Sequence, residues 1–556
     1  MIRRSTTPFL SCLALALPGA FAASPASAPT AANQEPAEAV FQLPPLIVAE
    51  TRTTAGRPWF YVAGPGFEVL SRSSEDSTAD FARDYHRATQ LLELLVPAEL
   101  QVKLSSPSIL FLYRKDMVAQ IPAEIVAAMS GSRALVLPNM ALHDVDLEAV
   151  YTLIGEYSYA RDNMRIATEA VWRRMETRTP PVPAWFIEGI MQLYPSARFL
   201  ADSVELPPLF WINKTETEAL RQNRNHPRSL LALSELFKGR SQDDRLAPNT
   251  AAYPWKHQAA LFIHWALDYK KRDRRTALYK FVRRASEAPV TEAMFEECFG
   301  LGFADVQERL SDYLPRAVDR PVPVWPDEKI SRPKPRVRIA SPTEVARIKG
   351  EMERLFANHV RTRYPSLTPK YQEQARLTLL RAYDQGDRDP NLLAAIGLSY
   401  CDAGEGKSAR PFLDQAAEGG TLRTRAYFEL AALHYREGLP PEGGKFTAAQ
   451  TEEILQPLRT ARNLLPPLAG AYDLLARTLW RTERTPTSDE LAWLAEGVTL
   501  FPRNSPLIYR IAQLHVLHGS KSAANALIKH GLEISRDDAG RSQFEKLNAA
   551  LALRPH

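Results

Sequence analysis

Apolar positions fall in short runs over the first quarter of the chain and at helical spacing over most of the rest. Runs at 59–62, 67–70, 109–112 and 134–137 read as strands, with a helix over 78–95 between the second and third. Together they predict a small mixed sheet. Helical spacing then predicts helices over 145–176, 184–194, 229–237, 252–286, 291–298 and 303–314. The first of these carries a stripe of Val150, Leu153, Ile154 and Tyr157. Between 195 and 227 lies a long loop with Pro207 and Pro208 near its middle. Loops of that length inside a domain are usually functional, and this one is expected to lie over a cleft.

Between Pro321 and Pro342 the chain carries Pro323, Pro326, Pro333 and Pro335 among charges, the composition of a stiff extended linker. Beyond it, a period of 34 residues emerges. Leu393, Ile396, Gly397, Tyr400, Gly404, Ala409, Leu413 and Ala416 hold the large and small positions of a tetratricopeptide hairpin. A shift of one period gives Tyr427, Leu430, Ala431, His434 and Gly438. A padded third unit contains Tyr472, Leu475, Ala476 and Pro502. A last one contains Ile508, Ile511, Ala512, Gly519, Ala524 and Ile528. Small residues let paired helices approach while large ones fill the seam, so stacked hairpins bury a continuous core and present a concave face. Insertions break the period at 440–460 and 481–489.

The N-terminus changes the picture of compartment. Arg3 and Arg4, an apolar run from Phe9 to Leu17 and then Gly19, Ala20, Phe21 and Ala22 have the form of a Sec-type signal peptide ending at Ala22. The expected organisation is a signal at 1–22, a disordered Ala/Pro-rich leader at 23–44, a mixed domain at 45–320, the Pro-rich linker at 321–345 and helical repeats at 346–556. No other stretch is apolar enough to span a bilayer, so the expected location is periplasmic or extracellular. Formal charge is +5, falling to +3 once Arg3 and Arg4 leave with the signal. No basic cluster interleaved with aromatics is present, which excludes a nucleic-acid groove. Cys12 lies in the signal, and Cys298 and Cys401 fall in separate domains, where they read as buried free thiols.

Candidate chemistry lies in two places. The stretch through Gly155, Glu156 and Tyr159 has the outline of an HExxH helix, in which two histidines one turn apart bind zinc and the glutamate activates a water. Glu156 keeps the glutamate position, while Gly155 and Tyr159 stand where the histidines belong. Downstream, Pro183, Trp185, Glu188 and Gly189 hold the context of a third ligand. From Trp59 to about Leu314 the chain resembles the peptidase MA-like domain of gluzincin metallopeptidases, in the form often found in bacterial exported proteins with tetratricopeptide repeats. The segment from Trp255 to Tyr269 resembles that domain's long packing helix, and the segment from Leu301 to Tyr313 its closing helix. The opening from Trp59 to Leu70 resembles its first hairpin.

The resemblance implies an α+β fold: a mostly helical gluzincin-like domain with a small N-terminal mixed sheet, followed by an all-α tetratricopeptide-like solenoid. It also implies vestigial roles for Glu156 and Glu188 around an empty zinc place. Two carboxylates facing each other without a cation repel, so a basic group or tyrosine hydroxyl is expected beside them. A tyrosine ring, from Tyr151 or Tyr159, or a neighbouring helix, is expected to fill the vacated space. His257 and His264, two turns apart and so about 10 Å along a helix, are too far apart to share one ion. No nucleophile elbow or phosphate loop is found. The expected function is that of an exported, non-catalytic pseudopeptidase binding a protein or peptide through its repeat groove, with no cofactor. The alternative is an active zinc metallopeptidase with replaced ligands.

Overall fold

The computed structural model describes residues 58–553, with the exception of 98–99, 102, 115–138, 155–171, 173–174, 177, 201, 212–216, 218–229, 239–251, 269–271, 326–333, 364, 440–443 and 536. Strands β1 (Phe60–Gly64) and β2 (Phe67–Ser71) form a hairpin. After helix α1 (Glu75–Leu95) come β3 (Ser108–Arg114), β4 (Asn139–His143) and β5 (Glu148–Ile154). They build a mixed six-stranded sheet in the order β4-β5-β3-β2-β1-β9, where β9 is Arg338–Ile339. Strand β3 runs parallel to both β2 and β5, while β4 and β5 are antiparallel. The predicted strand at 134–137 lies outside the described residues.

The predicted helix over 145–176 is corrected at its start, because Glu148–Ile154 is a strand. The reason lies in its position. Strand β5 is interior and buried on both faces, with Val150 in the core on the α1 side and Ala149 and Tyr151 in the core on the other. A doubly buried strand shows no alternation, so its apolar run also fits a helical stripe. Tyr151 therefore lies on a strand and not on a helical turn. Its ring stacks on Phe111 and Tyr113, with centroids 5.2 and 5.6 Å away.

The second face of the sheet is covered by α8 (Pro342–Arg363). Its Ile348, Met352, Leu355, Phe356 and Val360 pack on Leu70, Ile109, Phe111, Met140 and Tyr151. Helices α2 (Ala184–Leu193), α3 (Leu233–Leu236), α4 (Ala252–Ala266), α5 (Arg272–Glu287), α6 (Glu292–Phe299) and α7 (Phe303–Asp319) share the core on the α1 side. The helix predicted over 252–286 is two helices, α4 and α5, and the one predicted over 229–237 is a single turn, α3. Strands β6 (Arg198–Phe199), β7 (Val204–Leu206) and β8 (Val322–Val324) form a small antiparallel sheet.

After α8 and α9 (Thr368–Asp384) come four helical hairpins and a final helix. They are α10 (Pro390–Asp402) with α11 (Gly406–Glu418), α12 (Thr424–Glu437) with α13 (Ala448–Arg462), α14 (Ala469–Trp480) with α15 (Ser488–Leu500), α16 (Ser505–His518) with α17 (Lys521–Ile534), and α18 (Asp538–Ala552). The sequence period sets the geometry: Pro390 and Thr424 open α10 and α12 one period of 34 apart. At Gly397 an added Cβ would lie 2.6 Å from Leu413 Cδ2, which is why that position is small. Starts are fixed by caps at Asp389, Thr447, Thr487, Asn504, Ser520 and Asp537, with full capping boxes at Thr447 and Thr487. The chain from Gly56 onward forms one compact unit, a mixed sheet with helices followed by a tetratricopeptide-like array.

Candidate functional site

Helix α2 is apolar nearly all round, as a core helix must be: Trp185, Phe186, Ile187, Ile190 and Leu193 are buried. Glu188 is the charged exception, buried on α2 at 7% exposure. Its carboxylate accepts from Gln192 Nε2 at 2.8 Å and lies 3.5 Å from Lys256 Nζ of α4. A basic group thus stands beside Glu188. Gly189 lets the two helices meet, since a Cβ there would sit 2.7 Å from the Ala259 carbonyl oxygen and 2.6 Å from Ile263 Cγ1. Gly155, Glu156 and Tyr159 lie outside the described residues. Tyr151 is on the opposite face of the sheet from α2, so its ring does not fill the space beside Glu188.

The two histidines of α4 are packing residues. His257 stacks on Trp211 with centroids 5.0 Å apart. His264 is wholly buried, with Nδ1 3.0 Å from the Tyr313 hydroxyl, and burial pushes its pKa down to about 4. A histidine held neutral in the folded state resists protonation that the unfolded chain accepts. Its contribution is present above pH 6.5 and is lost as pH falls from 6.5 towards 4. We expect thermal stability to decline across that window, and the decline to flatten in His264→Gln when melting temperatures are compared between pH 7 and pH 5. Among the described residues no group of three or more His, Cys, Asp or Glu side chains is placed to hold a metal ion. Cys298 and Cys401 are both free and half-buried.

The second site is the repeat array, and its first half is already occupied. The turn between β4 and β5 carries Asp146, buried, and Asp144, half-buried with its carboxylate turned inward, with Val145 between them exposed. Asp146 accepts from the backbone N–H of Arg425 at 2.7 Å, in the first turn of α12, where the helix dipole favours a carboxylate. Arg423 reaches Asp146 through Nη2 at 2.8 Å and Nε at 3.1 Å. Arg354 Nη2 and Arg425 Nη1 reach Asp144 Oδ2 at 2.6 and 2.9 Å. Arg354 and Arg425 each also hold Asp402 at 2.6 Å, and Arg423 and Arg354 hold Glu351. Burial pushes the Asp144 carboxyl up, but Arg354, Arg425 and Arg423 outweigh it and hold it well below the carboxylate range. The same balance, with Arg354 and Arg423 opposing burial, brings Glu351 down to about 2.

Further along, the same side of the array takes up more of the N-terminal half. Ser106 donates to the Leu422 carbonyl at 3.0 Å, and Ser105 exchanges two hydrogen bonds with Leu465, at 2.9 and 2.8 Å. Thr179 donates to the Leu500 carbonyl, and Arg503 donates to the Ala285 carbonyl at 3.3 Å. Leu422, Leu465, Leu500 and Arg503 lie before α12, at the α13–α14 turn, at the end of α15 and before α16. Spacing in the sequence does not reveal this seam. Its one signal is the pair Arg423 and Arg425, charged residues at a helix start where acidic ones are the rule.

The second half of the array is open. A cavity of about 400 Å³ lies where α12, α14 and α16 meet, lined by Tyr435, Arg477, Trp480, Arg481, Arg510 and Gln513. Arg510 and Gln513 also line a larger crevice of about 950 Å³ that runs towards Pro181 and Tyr509. Among the described residues no helix is long and apolar enough to cross a membrane.

No family model matches this chain, and no curated protein does. Among solved structures, similarity is found to YrrB, described as a TPR protein with an unusual peptide-binding site, at 14% identity. It covers 37% of this chain and 98% of that one with a TM-score of 0.27. Pseudomonas aeruginosa pilF is similar at 14% identity, over 38% and 90% of the two chains, with a TM-score of 0.27. A thermophilic TPR protein of Thermus thermophilus is similar at 19% identity, over 35% and 98%, with a TM-score of 0.23.

Proposed function

We propose that this chain is an exported pseudopeptidase joined to tetratricopeptide-like repeats, which binds a protein or peptide in the cell envelope and does not cut it. The observation that carries the reading is the open cavity between α12, α14 and α16, with an exposed Trp480 in its lining, in an array whose first half already grips a loop. On the peptidase side, the sequence replaces both histidine positions, and a lysine stands beside the remaining ligand position, Glu188. An ammonium there neutralises the carboxylate without polarising a water, so the residues favour a retained shape over retained chemistry.

Metal analysis of the purified mature protein, after equilibration with zinc and removal of the excess, tests the non-catalytic half of this reading. The expected result is zinc far below one ion per chain, the same in wild type and Glu188→Ala. Stoichiometric zinc that disappears in Glu188→Ala would establish the metallopeptidase instead.

A further inference from the structure

We infer that the open half of the groove takes an acidic segment of a partner protein, with an apolar side chain seated on Trp480. This rests on the reading of the array as a protein-binding module and names the chemistry of what it binds.

The array shows its own mode of recognition. Its first half holds the segment through Asp144, Val145 and Asp146 by arginines: Arg423 and Arg425 at the start of α12, and Arg354 from α8. One unit further along, and at the opposite end of its helix, arginines line the open cavity: Arg477 and Arg481 at the end of α14 and Arg510 on α16. Among the described residues only one carboxylate answers them. Asp473 lies 2.7 Å from Arg477 and 2.5 Å from Arg510, and no carboxylate among those residues pairs with Arg481. Three guanidiniums against one carboxylate leave a positive excess that an acidic segment complements. Trp480 is 45% exposed between them. An indole plate rimmed by guanidiniums offers apolar area and bidentate donors side by side, the combination that anchors a short segment.

The test uses the full mature chain and three fluorescent peptides of one length and one set of apolar residues, with intervening positions all Glu/Asp, all Gln/Asn or all Lys. Anisotropy at low and physiological salt should show the acidic peptide binding at least about tenfold more tightly than the neutral one, with salt weakening it. Trp480→Ala and Arg481→Gln should each weaken that binding about tenfold, while Arg459→Gln on the outer helix α13 leaves it unchanged. All three sites are exposed, so circular dichroism melts should match wild type. Equal binding of acidic and neutral peptides overturns the charge inference and leaves the module reading standing. Binding of none of the three overturns the groove reading itself. Acidic binding untouched by Trp480→Ala and Arg481→Gln overturns the location.

Discussion

Arg423→Met destabilises the folded chain by about 3–5 kcal/mol, because it strips the partner from buried carboxylates rather than from solvated ones. Arg423 is 4% exposed, Asp146 is fully buried and Glu351 is 3% exposed. Once the guanidinium is gone, Asp146 keeps the Arg425 backbone N–H and Glu351 keeps Arg354, and neither retains a second strong partner among the described residues. The comparison that isolates the cause is Arg459→Met. Arg459 pairs with Glu452 in the open, and an exposed pair contributes at most about 1 kcal/mol. Urea unfolding followed by tryptophan fluorescence should separate the two variants clearly; a loss in Arg423→Met no larger than in Arg459→Met would mean the cluster does not hold the halves together. Adding Asp146→Asn to Arg423→Met should recover part of the loss, since an amide tolerates burial that a lone carboxylate does not.

The acid response of the same cluster has a definite sign. Glu351 is brought down to about 2 in the folded chain against an ordinary 4.5, and the arginines hold Asp144 well below its ordinary value too. The unfolded chain therefore binds more protons between those values, and the stabilisation, complete above about 4.5, fades as pH falls towards 2. This window lies below that of His264. As pH falls, the contribution of His264 is lost first and that of the carboxylates held by Arg354, Arg423 and Arg425 afterwards.

Much of the helical half was legible because its signal is local. The period at Leu393, Gly397, Ala409 and Leu413 reports directly on which residues touch, and a hairpin that closes on itself needs no other part of the chain. The sheet was legible at its hairpin, where β1 and β2 are joined by a tight turn, and not at β5, whose two buried faces erase the alternation that marks a strand. Glu188 was singled out by its motif context, and it is the buried charge on α2. Lys256 is the kind of neighbour expected beside it, though which residue fills that role depends on how α2 and α4 cross. Apart from the basic pair Arg423 and Arg425 at a helix start, the seam from Ser105 to Arg503 left no mark in the sequence. Its partners lie hundreds of positions apart, and each taken alone is an ordinary surface serine, threonine or arginine.

Trp185→Ala should cost about as much as Arg423→Met, about 3–5 kcal/mol, by a different mechanism. Trp185 is 2% exposed and lies at the centre of an aromatic cluster, with Phe237 5.0 Å, Phe281 5.5 Å and Phe262 5.6 Å from it by ring centroids. Those rings come from α4, α5 and the segment after α3, so they cannot all collapse into the space an indole leaves without moving helices. The indole N–H finds no acceptor among the described residues, so Trp185→Phe removes an unpaired donor along with the larger ring. Its cost should be only about 1–2 kcal/mol, and the contrast between the two variants measures the loss of a buried ring and the cavity it leaves, with the unpaired donor gone from both. The effect should also be confined: α2 carries Glu188, whereas Trp480 and its arginines stand on other cores. Below its melting temperature, Trp185→Ala should bind the acidic peptide as wild type does. Weakened peptide binding there would show that the groove depends on the packing of α2, and the two halves would then be coupled through more than the seam of serines and arginines.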